Sequence, residues 1–229
     1  MVRVAVSILN ADLSAIGATV RQIEQAGADS IQVDVMDGHF VPNLALGPQV
    51  CAAVAANTQL PVEAHLMVED PVRFLPAFAE AGAAFLIGHI EVLDDPVEFA
   101  GKVRALGKRP GLAINPNTPP ERMIPHLVHV DMVIVMGVHP GAGGQAFIAG
   151  ALDTLRRLCQ ARGSNRCQLQ LDGGVNLDTV ASIAQAGADA VIGGSYVFRH
   201  GNGIAAALRD LKAAGTLPIG PSGTSEAKK

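Results

Sequence analysis

The segment "SIQVDVMDGHFVPN", Ser30 to Asn43, places Asp34 inside an apolar run and a second acid, Asp37, three residues later. A run of this kind reads as a buried strand, and alternation along it puts Gln32, Asp34 and Met36 on one face and Val33 and Val35 on the other. A carboxylate buried with Asp34 costs several kcal/mol unless a cation or hydrogen bonds compensate it. His65 and Asp172 are the residues able to complete such a site. Two carboxylates and one imidazole suit a divalent ion such as zinc, manganese, iron or cobalt. Asp37 falls just past the apolar run, in "DGHFVPN", where an Asp most often hydrogen-bonds a turn.

Two glycine-rich stretches carry a different chemistry. "HPGAGGQAF" begins at His139 and "DGGVN" at Asp172, and a third short run, "GGS", covers Gly193 to Ser195. Glycine lets backbone N–H groups approach an anion closely, as a phosphate requires. The longer stretch has the composition of a lid able to exclude water from a reactive intermediate.

These groups need a scaffold that brings them together. Short β-rich runs alternate with longer amphipathic stretches along the chain, the pattern of repeated βα units around a parallel sheet. Eight strands are expected: 3–9, 30–36, 62–67, 85–90, 111–114, 132–138, 168–171 and 190–192. Helices are expected over 13–25, 72–80, 97–106, 148–161 and 177–185, among others. Eight units in 229 residues predict a single (β/α)₈ TIM barrel over 1–214, a fold that typically takes about 250 residues. A doubly wound open sheet is the competing architecture. The barrel reading explains the polar residues, because a barrel's active site lies at the C-terminal ends of its strands. Those ends would carry Ser7, Asp34, His65, His89 with Glu91, Asn115, His139, Asp172, and Gly194 with Ser195. In "QAGADS", "EAGAAF" and "QAGADA", the glycines Gly27, Gly82 and Gly187 sit where a left-handed residue ends a helix. After Lys212, the loss of periodicity predicts a frayed tail over 215–229.

Composition narrows the function further. Aromatic residues make up only 3% of the chain and hydrophobic ones 49%, so the core must be built from Ala, Val, Ile and Leu, as a packed parallel sheet is. The net charge of −4 and the scattered Lys and Arg form no basic stripe, which argues against a nucleic-acid or anionic-membrane partner. No apolar run reaches the roughly 20 residues of a membrane span, and the N-terminal apolar run is broken before a signal-peptide core is complete. Cys51, Cys159 and Cys167 form no ligand spacing and read as reduced, buried thiols. A cytoplasmic protein is expected.

The motifs resemble those of the ribulose-phosphate 3-epimerases and their allulose 6-phosphate relatives. The matching segments are "SIL" at Ser7, "VDVMDGHFVPN" at Val33, "HLM" at His65, "NPNTP" at Asn115, "HPGAGGQAF" at His139, "LDGGVNLDT" at Leu171 and "GADAVIGGS" at Gly187. The resemblance implies a ribulose-phosphate-binding (β/α)₈ barrel, a homo-oligomer, and a metal-assisted proton transfer at C3 of a ketose phosphate. Asp34 and Asp172 would be the acid/base pair and, with His65, ligands of one divalent ion. Ser7, His65, Met36, Met67, Met136, Gly141, Gly143, Gly144, Gly173, Gly174, Gly194 and Ser195 would contact the sugar phosphate. D-ribulose 5-phosphate is the first expectation for the substrate, with allulose 6-phosphate or a tetrulose phosphate as the alternative. A sugar-phosphate-binding barrel without catalysis is a further alternative. The Asp-x-Lys-x-x-Asp cluster of the related decarboxylases is absent.

The sequence departs from the family pattern at several positions near these motifs. Gln32 stands where the family usually has a metal-binding His, which makes it a fourth candidate ligand with a neutral, harder oxygen and admits magnesium. Val6 replaces a Pro, Asn10 a Ser, His139 an Asn and Ala142 a Phe.

Overall fold

The structure is a computed structural model and describes residues 2–216. Eight parallel strands close on themselves: β1 (Arg3–Ser7), β2 (Ser30–Asp37), β3 (Val62–Met67), β4 (Phe85–His89), β5 (Arg109–Ile114), β6 (Met132–Met136), β7 (Gln168–Asp172) and β8 (Ala190–Gly193). Each pairs in parallel with its neighbours in chain order, and β1 pairs with both β2 and β8, which seals the barrel. A two-residue strand, Leu44–Ala45, pairs antiparallel with the end of β2. The expected tail lies beyond the described residues from 217 onward.

Alternation sorts the side chains as the pleat demands. Val33 and Val35 join the large cluster between strands and helices, together with Val133, Val135, Leu169 and Leu171. Ala5, Phe85, Ile87, Ala113, Met132, Ile134, Met136 and Ile192 form a separate cluster from the opposite strand faces, and these fill the barrel. Gln32 and Asp34 point the same way and are buried, at 0% and 3% exposure. The register sets Gln32 beside Glu63 and Asp34 beside His65, on adjoining strands.

Helices α1 (Ile16–Gln25), α2 (Pro48–Ala55), α3 (Pro71–Glu80), α4 (Pro96–Ala105), α5 (Gly150–Arg162), α6 (Val180–Gln185), α7 (Ser195–Phe198) and α8 (Gly203–Ala214) cover the barrel. Local chemistry fixes their ends. Asp70 and Asp95 cap α3 and α4, each followed by Pro at the first helical position, where its missing N–H costs nothing. Gly27, Gly82 and Gly187 follow α1, α3 and α6 with φ of +84°, +92° and +103°, the left-handed geometry expected at those positions.

Four expectations are corrected. The strand expected to reach Leu9 stops at Ser7, whose Oγ accepts the Leu9 N–H and turns Ile8–Asn10 into a 3₁₀ turn. Residues Leu13–Ala15 form a second 3₁₀ turn under an Asp12 cap, so α1 begins at Ile16. The helix expected from Leu177 starts at Val180, because the Asn176 side chain accepts the N–H groups of Asp178 and Thr179 and holds them in a turn. Finally, β5 and β6 are joined by two 3₁₀ turns, Pro120–Arg122 and Ile124–His126, with no α-helix. Three prolines within Pro119–Pro125 remove the backbone donors a helix needs.

Gly137, just after β6, marks a tight approach between the loops above the barrel. A Cβ there would lie 2.4 Å from the Gly173 carbonyl oxygen and 2.9 Å from the Phe147 ring. Backbone cannot yield as a side-chain tip does, so Gly137→Ala is expected to cost about 1–3 kcal/mol of stability, measured by urea denaturation. An unchanged midpoint would show that the two loops are not packed this way.

Candidate active site

The C-terminal ends of the strands open into a cleft. Its floor and walls include Ser7, Asp34, Met36, Met67, Met136 and Asp172, and the glycine-rich loops form its rim. Asp34 and Asp172 are placed by β2 and β7, and His65 by β3. One donor atom from each of Asp34, His65 and Asp172 lies within 4.8 Å of the other two, a group able to hold a metal ion. His65 is fully buried and lies beneath the acids, outside the residues that line the cleft.

Hydrogen bonds fix both carboxylates. Asp34 accepts from Ser7 Oγ at 2.5 Å and from Gln32 Nε2 at 2.8 Å, while His65 Nδ1 lies 2.9 Å from Asp34 Oδ1. The same Gln32 Nε2 donates to Asp172 Oδ2 at 2.8 Å. Gln32 therefore reaches the centre through its nitrogen. Its Oε1 is buried and unpartnered among the described residues, so it becomes a ligand atom only if the amide turns over.

Proton positions follow from the groups behind His65. The Glu91 carboxyl accepts the Asn115 N–H at 2.9 Å and lies 3.1 Å from His89 Nδ1. Burial would raise its pKa, but the His89 hydrogen bond, with further donors from Thr118 and the Asn115 N–H, holds it below the usual carboxylate range. Burial drives His89 down to about 4, overcoming the opposing pull of Glu91, so His89 is neutral and donates a hydrogen bond from Nδ1–H to Glu91. Its Nε2 then holds a lone pair and accepts from His65 Nε2, 2.9 Å away. That leaves Nδ1 of His65 facing Asp34 Oδ1 at 2.9 Å and Asp172 Oδ2 at 3.7 Å. Positive charge belongs at this point, as a proton or as a metal ion. Burial alone would lower the His65 pKa; the Asp34 hydrogen bond and charge, then the Asp172 charge, raise it instead.

Burial, followed by the charge of Asp34, pushes Asp172 up to about 7. A carboxylate crowded by another anion without a full counter-charge behaves this way. The donor set, the buried amide oxygen of Gln32 and the unbalanced negative charge all fit a divalent cation held by Asp34, His65 and Asp172. Asp37, by contrast, accepts from the backbone N–H groups of His39, Phe40 and Glu69. Those bonds outweigh burial and lower its pKa; it is the turn-holding acid that its position suggested.

The loop after β6 leans inward over the cleft. Gly141 O accepts from Asn43 Nδ2 at 3.0 Å, and a Cβ on Gly143 would meet Asn10 Oδ1 at 2.5 Å. Gln145 Nε2 ties His139 O and Ala142 O together within the loop. His139 lines the cleft but is exposed, and it is not part of the Asp34–His65–Asp172 group. Gly141, Gly143, Gly144, Gly173, Gly174, Gly194 and Ser195 all line the same opening. The support that His89 and Glu91 give to His65 was not foreseen. The sequence marks both only by their place at a strand end and by the spacing His-x-Glu.

Residues 3–198 match the model of the ribulose-phosphate 3 epimerase family. The chain belongs to this family. It is 41% identical over 202 residues to the ribulose-phosphate 3-epimerase of Bacillus subtilis, covering 86% of this chain and 93% of that protein. It is 40% identical over 220 residues to the ribulose-phosphate 3-epimerase of Mycobacterium tuberculosis, covering 94% and 95%. Among solved structures, a 3-hexulose-6-phosphate synthase superposes with a TM-score of 0.71 at 18% identity, over 93% of this chain and 99% of the other. KGPDC from Streptococcus mutans superposes at 0.72 with 12% identity, over 94% and 97%. At such identities these two speak for the barrel fold alone. Membership in this epimerase family makes the protein an enzyme of the isomerase class. No helix among its described residues is long and apolar enough to cross a membrane.

Two outcomes follow from the charge arrangement. Glu91→Leu removes the acceptor that sets the His89 and His65 tautomers, so divalent-metal affinity should fall about 10–100-fold, the usual cost of losing such support. Calorimetric titration of the metal-free protein measures it, and unchanged affinity would refute the relay. For Asp172, the folded pKa of about 7 lies above its unfolded value. Its contribution to metal-free stability is therefore complete below about pH 4 and lost as pH rises through 7. The stability of the metal-free protein minus that of Asp172→Asn should fall over this window, as read from melting temperatures at each pH.

Proposed function

We propose that the protein epimerises a ketose phosphate at C3, interconverting D-ribulose 5-phosphate and D-xylulose 5-phosphate. The observation that carries this reading is the convergence of Asp34 and Asp172 on one buried point beneath a glycine-rimmed cleft. Inverting a carbon next to a carbonyl requires a base on one face and an acid on the other, and two carboxylates from separate strands meet that requirement. A divalent ion held by Asp34, His65 and Asp172 (zinc, iron, manganese or cobalt, or magnesium if Gln32 turns its oxygen inward) would supply Lewis acidity for the charge developing on the C2 and C3 oxygens.

The chain's own residues account for the rest. One aspartate takes the C3 proton and the other returns a proton on the opposite face, through a cis-enediolate. Ser7 Oγ and Gln32 Nε2 hold Asp34, and Gln32 also holds Asp172, so the acids keep their positions as their charges change. Met36, Met67 and Met136, each under 5% exposed, give the intermediate an apolar wall. The loop folded over the cleft excludes water, and backbone N–H groups of Gly144, Gly174, Gly194 and Ser195 take the phosphate. Ala142 at the rim leaves more room than a larger side chain would, which favours testing allulose 6-phosphate and a tetrulose phosphate as well.

In deuterated water, the enzyme loaded with each metal in turn should place deuterium at C3 of D-ribulose 5-phosphate while forming D-xylulose 5-phosphate. Absence of exchange with every ketose phosphate tried would overturn the reading. Asp172→Asn and Asp34→Asn should each lower epimerisation about 10²–10⁴-fold. Each variant should also keep exchange on one epimer only, because a single base still faces one side of C3. Loss of the same epimer's exchange in both variants would refute the two-face assignment.

A further inference from the structure

The cleft contains two aspartates and, among the described residues that line it, neither Lys nor Arg. A phosphate monoester would bring up to two further negative charges to this opening. Backbone N–H groups and the Ser195 hydroxyl orient such a group but carry no net charge. A cation close to the rim would balance that charge, and one lies just outside the lining.

Arg199 follows α7, and its N–H donates to Ser195 O at 3.0 Å. One helical turn separates the two residues, so Arg199 lies on the Ser195 side of that turn. Its guanidinium rests against the folded-in loop: the point where a Cβ would sit on Gly144 is 3.6 Å from Nη1 and 4.0 Å from Nη2. Gly144, with φ of +79°, and Ser195 both line the cleft. Arg199 is exposed and forms no ion pair among the described residues, in contrast to Arg162 with Asp189 and Arg157 with Glu121.

We propose that Arg199 supplies the counter-charge for the substrate phosphate and engages it across Gly144, making it a binding residue of the phosphate end of the cleft. This rests on the sugar-phosphate reading above. A guanidinium suits the role, since it offers several donors in a plane and is always charged. It also stands at the opposite end of the substrate from the acids, so it should act on binding and leave the proton transfers unaffected.

Arg199→Met keeps the apolar stem and removes the charge, while Arg199→Lys keeps the charge without the planar fork. With D-ribulose 5-phosphate, Arg199→Met should raise KM on the order of tenfold, the scale of one charge-assisted hydrogen bond, with kcat changed less than about twofold. Arg199→Lys should recover most of that loss. Inorganic phosphate should inhibit the wild type competitively, with a Ki raised by a similar factor in Arg199→Met. The decline of kcat/KM with added salt should also be shallower in that variant. An unchanged KM and phosphate Ki in Arg199→Met, or a fall in kcat alone, would overturn the role of Arg199 while leaving the epimerase reading intact. A wild type that turns over no ketose phosphate, yet binds inorganic phosphate in an Arg199-dependent way, would instead overturn the epimerase reading.

Discussion

The structure is organised around the electrostatic demand of two buried carboxylates, Asp34 and Asp172, brought to one point by strands far apart in sequence. Each alone could be tolerated through hydrogen bonds, and together they cannot both be charged without a cation between them. Almost every polar group around them answers that demand. Gln32 lends one amide nitrogen to both acids, Ser7 lends a hydroxyl, and His65 presents Nδ1 to them because His89 holds its other nitrogen. The barrel makes this affordable, because strand ends from different βα units deliver the acids and their supports without any one loop having to fold around them.

Support for the centre extends well beyond the residues that touch it. Glu91 accepts from His89, His89 orders His65, and His65 faces the acids, so a carboxylate three groups away determines which imidazole nitrogen meets a cation. Phe40 packs against His89 with ring centroids 4.7 Å apart, and Phe40 belongs to the turn that Asp37 holds through the backbone N–H groups of His39, Phe40 and Glu69. The two acids of "VDVMD" thus serve one site in different ways. Asp34 is part of the centre, and Asp37 shapes the turn that covers the histidine behind it.

Much of this was legible in the sequence because period-two alternation and position at a strand end are local properties. The inward face of β2, the eight strands and the glycine-rich rim are all of that kind. What escaped was non-local or stereochemically specific. The link from Glu91 through His89 to His65 depends on the registry of β3 against β4, which no single segment encodes. The missing helix between β5 and β6 was signalled by its prolines, yet the expectation of a regular βα repeat passed over them. The early end of β1 turns on one hydrogen bond from Leu9 N–H to a side-chain oxygen, finer than any hydropathy pattern. Gln32 was read as a candidate ligand oxygen, whereas the fold directs its nitrogen to the acids, a choice set by carboxylates on two strands at once.

The layer beneath the centre completes the charge balance. Glu63 lies two residues before His65 on the inward face of β3 and accepts from Gln170 Nε2 at 3.2 Å across the barrel. An ionised Glu63 would add a third negative charge under Asp34 and Asp172. Burial raises the Glu63 pKa, which favours the protonated acid and leaves that layer closer to neutral. The positive charge required above it is then set by Asp34 and Asp172, and a divalent ion matches those two acids in charge. Burial thus acts on Glu63 in the direction that limits negative charge beneath the centre.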